Sequence, residues 1–483
     1  MTLTATLIYA VFALLLAALS HTRWFGRLRN WVLLAASVLA VYWLQPALPI
    51  RGLDFWLPSL TLMIAVWGWT LTSSPVERRL RASLPVLAMV LGLILAIALT
   101  RYISSTGILT PSRPPQFLQV LLFLAASAIL IYLISLLKPA KTAWLWFAIA
   151  EILLFFVILK LPSLTTLVSA WLRKASGQNP TLASALDIRW LGFSYIAFRL
   201  IATLRDRQSG RLPQVTLQEY LIYLIFFPAL SAGPIDRIER FITDLRNTSP
   251  VSTAQVTEGG RRFILGLFKK FVLADLLALF ALGPTSAAQI RSTGWMWVSV
   301  YAYTLQIYLD FSGYTDIALG ISRWLGFSLP ENFRSPYLKP DLTRFWNNWH
   351  ITLTMWFRAY FFNPLARALR STKKPLPTGW VILISQLATM VLIGLWHGIT
   401  WNFVTWGAWH GIGLFINNRW SESRKRRQVA QPSQTKLRIA KYLSDPLSTL
   451  LTFHFVALGW VWFALPSIPL SLDVFTRLFG VGG

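Results

Sequence analysis

The 483-residue chain has no cysteine and five histidines, His21, His350, His397, His410 and His454. Without thiols there is no disulfide, thiolate nucleophile, Fe–S cluster or cysteine zinc site. Imidazole is then the group best suited to exchange a proton with a hydroxyl near neutral pH. His397 closes an apolar run over 381–395 and is followed at once by Gly398, which lets another group approach the ring. His410, in Trp409-His410-Gly411, repeats the Trp-His-Gly pattern, with one of the two histidines supporting the other or the fold. His350 lies in Phe345-Trp346-Asn347-Asn348-Trp349-His350-Ile351-Thr352-Leu353. Helical spacing puts Asn347, His350, Thr354 and Arg358 on one side and Trp349, Leu353, Trp356 and Tyr360 on another, which predicts an amphipathic helix. Such a helix can rest among lipid headgroups on its Trp anchors with no chemistry at all. His454 reads as a helix-packing residue of the last span and His21 as a structural residue at an interface. Taken alone, His397 also fits a buried packing role.

Carboxylates within apolar stretches are few. Glu151 lies in one of them, and Asp310 and Asp316 bracket Phe311-Ser312-Gly313-Tyr314-Thr315. A charge inside a membrane segment costs at least about 2.5 kcal/mol, so each marks either a functional group or a structural partner of a basic residue. Scattered histidines without clustered carboxylates predict no metal site. There is no P-loop, dinucleotide fingerprint, Gly-x-Ser-x-Gly elbow or His-Glu-x-x-His, which removes the usual supports of ATP-driven, redox, serine-hydrolase and zinc-protease chemistry.

The elements that must hold these residues are membrane helices. Hydrophobic residues make up 55% of the chain and charged ones 13%, against about 25% charged in soluble domains. Apolar stretches of spanning length run over 3–19, 31–48, 55–72, 84–100, 117–137 and 143–159. Alternate connections carry the basic clusters: Arg23, Arg27 and Arg29, then Arg78, Arg79 and Arg81, then Lys138 and Lys141. The intervening connections hold Arg51, and then Arg101 and Arg113, so the positive-inside rule places the N-terminus outside. The net charge of +27 is therefore read as an attraction to lipid headgroups and not to nucleic acid. Beyond Lys160 the apolar pieces, over 190–204, 220–232, 263–282 and 295–320, shorten and are broken by Gly, Pro and charge, as expected of tilted, re-entrant and interfacial helices around a pocket. Cleaner spans return over 381–396, 401–416 and 447–465. The basic run over 419–442, centred on Arg424, Lys425, Arg426 and Arg427, reads as a solvated cytoplasmic loop.

Four ordered motifs give a resemblance. Asp310-Phe311-Ser312-Gly313-Tyr314-Thr315-Asp316, Pro330-Glu331-Asn332-Phe333, the Phe345–Leu353 run quoted above, and Leu395-Trp396-His397-Gly398 with Trp401-Asn402-Phe403 are similar to those of the membrane-bound O-acyltransferase family. The bacterial branch with alginate O-acetyltransferase and the D-alanyl transfer protein of teichoic acid modification is most alike. The resemblance covers residues 188–465. It implies an all-α polytopic membrane protein of about 11–13 membrane helices plus re-entrant and interfacial ones, arranged as a ring with funnels meeting at the family histidine. N-terminal spans would occupy 1–160 and the catalytic core 161–465.

The resemblance further implies acyl transfer from a thioester to a hydroxyl, with His397 as general base and His350 at the family's second position. Asn347, Asp310, Asp316, Trp396 and His410 are supporting candidates. The donor would be acetyl-CoA or the phosphopantetheine of an acyl carrier protein, with no permanently bound cofactor. The acceptor would be a surface polysaccharide or wall polymer, and an extracytoplasmic acyltransferase a partner, at the bacterial cytoplasmic membrane. Asn347 and Asn348 stand where the branch usually has basic residues, and Ala359 where it usually has Asp, departures that suit a changed acceptor or partner surface. A lipid or polysaccharide transporter and an inactive membrane scaffold are the competing readings.

Overall fold

In the computed structural model, residues 2–22, 25–74, 80–136, 142–430 and 434–481 are described, and among them regular structure is entirely helical. Arg23, Arg78, Arg79, Lys138 and Lys141, and the side chains of Arg27, Arg81, Lys425 and Arg427, on which the orientation and the basic run were read, lie outside the described residues. Helices Leu53–Thr72, Ser83–Tyr102, Thr142–Lys160, Thr378–His397 and Asp445–Ala464 are long and apolar enough to cross a membrane, and Leu3–Leu19, Leu28–Trp43, Phe117–Leu133 and Leu217–Ala229 are shorter apolar helices. The chain is an all-α protein of the multi-pass membrane class.

It divides into two compact units. The first comprises Met1–Ile264 with Asp316–Pro330, the second Leu265–Thr315 with Glu331–Gly483. In the first, the interrupted stretch near Pro228 has a clear physical solution. Helix Leu217–Ile225 is opened by a capping box, in which Thr216 and Glu219 satisfy each other's backbone N–H groups. It stops at Phe226, and a short 3₁₀ turn, Phe227–Ala229, follows. The carbonyls released by this break need donors, because no water reaches them in hydrocarbon. Arg199, buried on helix Phe193–Gln208, supplies them: its guanidinium donates to the carbonyls of Tyr223 at 3.3 Å, Leu224 at 2.9 Å and Ala229 at 3.0 Å. Arg29 works in the same way, donating to the carbonyls of Leu245, Asn247 and Leu325 at 3.2, 2.9 and 2.8 Å.

Two expectations are corrected. The stretch beginning near Trp295 is one unbroken helix, Thr293–Trp324, of 32 residues. Its two aspartates are neutralised by basic partners and so leave the helix intact: Asp316 bonds Arg262 at 2.7 Å in the first unit, and Asp310 pairs with Lys270 in the second. The described residues of the basic run over 419–442 are helical and do not form a loop. Helix Trp401–Ala430 continues into it and helix Gln434–Ala464 emerges from it, since Arg, Lys, Gln and Ala are all good helix formers.

Arg199→Met is expected to cost about 3 kcal/mol by orphaning buried carbonyls. Thermal unfolding of the detergent-solubilised protein followed by size-exclusion would register it as a lower transition temperature, whereas an unchanged transition would show that the break does not need the guanidinium.

Candidate active site

The second unit brings three of the five histidines into one aromatic cluster. His397 is the last residue of helix Thr378–His397, and Gly398 follows as its cap. The half-buried His397 ring lies edge-on to Phe463 at 4.7 Å between centroids and to Trp406 at 5.8 Å, and stacks on Phe403 at 6.0 Å. Trp396 lies against His397 at 4.3 Å and against His350 at 6.2 Å. Trp406 is shared in turn between His397 and His410, which it meets at 5.0 Å.

Close packing of two helices sets the position of His397. Helix Thr378–His397 returns through Gly398, Ile399 and Thr400 into helix Trp401–Ala430. A Cβ at Gly394 would stand 2.1 Å from the Phe403 carbonyl oxygen, and one at Gly407 2.5 Å from that of Met390. Backbone is the obstacle in both places, so only glycine lets the two helices approach to this distance. Asn402 fixes the hairpin to the next helix. Its amide nitrogen lies 2.9 Å from the Leu465 carbonyl, 3.3 Å from that of Trp462 and 2.9 Å from Ser471 Oγ, satisfying carbonyls at the end of helix Gln434–Ala464.

His350 departs from the sequence expectation. Helix Leu342–Trp346 ends, and helix Ile351–Phe357 begins after His350, whose φ of 42° is left-handed. The amphipathic interfacial helix is thus replaced by a break, and His350 is buried. The reason lies across the turn. The Asn332 carbonyl accepts from the Ile351 N–H at 2.9 Å, and Asn332 Oδ1 accepts from the Thr352 N–H at 3.3 Å and hydroxyl at 2.6 Å. The Arg334 N–H donates to the Asn348 carbonyl at 3.1 Å. A left-handed non-glycine residue costs about 1–3 kcal/mol and persists where its surroundings fix it. Here those bonds, with the Phe311 ring edge-on to His350 at 4.7 Å, do so. Neither ring nitrogen of His350 or His410 has a hydrogen-bond partner among the described residues.

The remaining candidates fall elsewhere. Asn347 is exposed and accepts from Arg358 at 2.7 Å, so it is outside the cluster. Asp310 neighbours Phe311 but is engaged by Lys270, and Asp316 belongs to the first unit. His454 is a satisfied packing histidine: Nδ1–H donates to the Leu450 carbonyl at 2.8 Å, leaving Nε2 to accept from the Tyr301 hydroxyl at 2.8 Å. His21 is exposed in a turn, and Glu151 is half-buried on helix Thr142–Lys160. Among the described residues no three His, Asp or Glu side chains gather as a metal site. Sequence reasoning assigned no role to Asn332, Asn402 or Phe463. The first two lay within quoted motifs, but their long-range partners, 20 and 60 or more positions away, leave no local signal.

The family model for membrane-bound O-acyltransferases matches residues 89–455. The chain belongs to the membrane-bound O-acyltransferase family. It is similar to a teichoic acid D-alanyltransferase of Streptococcus thermophilus (33% identity over 254 residues, 51% of this chain and 61% of that protein). It is likewise similar to a probable alginate O-acetylase of Azotobacter vinelandii (33% over 293 residues, 60% and 54%) and to a peptidoglycan O-acetyltransferase of Helicobacter pylori (32% over 268 residues, 55% and 47%). The chain thus spans about half to three-fifths of the length of these relatives. Within this O-acyltransferase-family chain, the matched region contains His350, Trp396, His397 and His410.

Gly407→Val should force the two helices apart, an overpacking cost of at least about 1–3 kcal/mol. The yield of monodisperse protein after solubilisation measures it, and a yield equal to the unsubstituted protein would contradict the close-approach account.

Proposed function

We propose that the protein is a membrane-bound O-acyltransferase that moves an acyl group from a thioester donor on the cytoplasmic side to a hydroxyl of a cell-surface polysaccharide or wall polymer. Acetyl is the preferred group, D-alanyl the alternative. The observation that carries the reading is His397 at the end of an apolar helix, inside an aromatic cluster within the family-matched region.

A thioester is already activated, so the protein needs to bring the hydroxyl to it, take up the proton and exclude water. In this reading His397 takes the proton as the acceptor oxygen attacks the thioester carbonyl. The tetrahedral intermediate collapses, the carbon–sulfur bond breaks, and the imidazolium returns the proton to the departing sulfur. Ester and free thiol result, with no acyl group held on the chain. Aromatic walls support this by holding the half-buried imidazole in one orientation. His350, a positioning residue, would orient the acceptor with ring nitrogens that no described residue engages. His410 supports the wall beside Trp406.

Acetyl-CoA or an acyl carrier protein would be the donor, and an extracytoplasmic acyltransferase a partner, at the cytoplasmic membrane of a bacterium. Exposed Asn347 and half-buried Ala359, the latter in the π-helical segment Arg358–Phe362, suit a recognition surface that differs from the branch pattern.

Ester content of the surface polymers tests the reading in a deletion strain complemented with wild type, His397→Ala, His350→Ala or His350→Asn, each checked for membrane insertion. A lost general base costs about 10²–10⁴-fold, so His397→Ala should match the deletion. His350→Asn, which tolerates the left-handed backbone and keeps a hydrogen-bonding side chain, should retain more ester than His350→Ala. Full ester content with His397→Ala would favour a transporter or scaffold.

A further inference from the structure

The first unit contains a polar cavity whose chemistry the transferase reading does not use. It has a volume of about 620 Å³ and is walled by Arg51, Trp56, Arg101, Arg113, Gln116 and Gln119, within the range of about 300–1,000 Å³ usual for ligand pockets. Its wall comes from three places in the chain: the connection before helix Leu53–Thr72, the connection between helices Leu80–Leu99 and Phe117–Leu136, and the end of helix Pro162–Ala175. Spans that alternate in direction bring these three to one membrane face, and the cavity unites them. With the N-terminus outside, that face is extracytoplasmic. Positive charge is scarce in these outer connections, yet their arginines meet here.

The arginines carry charge without a carboxylate to answer it. Arg101 donates to the Pro114 carbonyl at 2.6 Å, and Arg113 donates through Nε and Nη2 to the Arg101 carbonyl at 3.2 and 3.1 Å. Neutral carbonyls thus hold both guanidinium groups in place, and no ion pair to any of the three arginines is formed among the described residues. The carboxylate in this region, Asp54, is buried and bound by the Ser112 N–H at 2.9 Å and hydroxyl at 2.7 Å. Planar guanidinium groups with donors to spare match carboxylate oxygens two at a time. The half-buried indole of Trp56, packed against Phe55 at 5.4 Å and Phe123 at 5.1 Å between centroids, gives the cavity an aromatic wall for a sugar ring, and the two glutamines offer amides for its hydroxyls.

We propose that this cavity binds a strand of acidic glycan, a polysaccharide whose rings carry carboxylates, on the extracytoplasmic face. An aromatic wall and two amides beside the arginines favour such a glycan over a lipid phosphate, which needs charge alone. The inference deepens the proposed function, on which it rests in taking the acceptor to be a surface glycan.

The test uses the full chain in phosphatidylcholine nanodiscs, with a fluorescent galacturonate hexamer as probe and a neutral glucose hexamer as control. The galacturonate hexamer should bind and the glucose hexamer should not. R101Q/R113Q should weaken binding about tenfold. R51Q, whose side chain holds no part of the loop, should weaken it about threefold, which separates lost charge from a disturbed loop. His397→Ala should bind like wild type, so binding stands or falls apart from the transfer reaction. Equal binding of both hexamers, or binding unchanged in R51Q and R101Q/R113Q, overturns the proposal. So does selective retention of phosphatidylglycerol in mixed-lipid discs with no galacturonate binding, which would make the cavity a lipid site.

Discussion

Every backbone group at membrane depth must find its partner within the protein, and the arrangement of this chain follows from how its helix breaks meet that demand. Uninterrupted apolar helices meet it by themselves. Breaks do not, and at three of them a buried polar side chain from a distant element answers for the loss. Arg199 does so at the Phe226 break, Asn402 at the end of helix Gln434–Ala464, and Asn332 at the His350 turn. These residues are costly to bury alone and stable where they are because each makes several bonds at once. The breaks in turn provide what straight helices cannot: a helix end at which an imidazole projects, and a left-handed turn that presents a second.

Aromatic packing completes the arrangement. His350, His397 and His410 have different helical origins, yet Trp396 and Trp406 join them through ring contacts of 4.3 to 6.2 Å. Such a wall holds the rings in defined orientations, and it buries His350 and His410 while leaving His397 half-exposed at the helix end. Close approach at Gly394 and Gly407 sets the depth of His397 within this wall.

Much of this was legible in the sequence, for identifiable reasons. Membrane helices announce themselves by composition, and the helix Leu3–Leu19 begins and ends where its apolar run does. The position of His397 at a helix end was legible because Gly398 and the end of an apolar run are local features. The His350 turn was not, because periodicity over residues 347–358 continues smoothly through it while the bonds that break the helix come from Asn332. Periodicity also could not reveal that Asp310 and Asp316 sit in an unbroken helix, since their neutralising partners, Lys270 and Arg262, are 40 and 54 positions away. In the basic run, charge was mistaken for a loop signal although its residue types favour helix.

The central claim is that a helix-end imidazole accepts the acceptor's proton during direct transfer from a thioester. Its most direct test is a single-turnover reaction of the purified full chain in nanodiscs, with isotopically labelled acetyl-CoA and a soluble oligosaccharide acceptor, comparing wild type with His397→Gln of matched thermal stability. The account predicts labelled ester from wild type, a rate at least about 100-fold lower for His397→Gln, and no label on either protein by intact mass. Equal rates, or a labelled protein that goes on to form the ester, would contradict it.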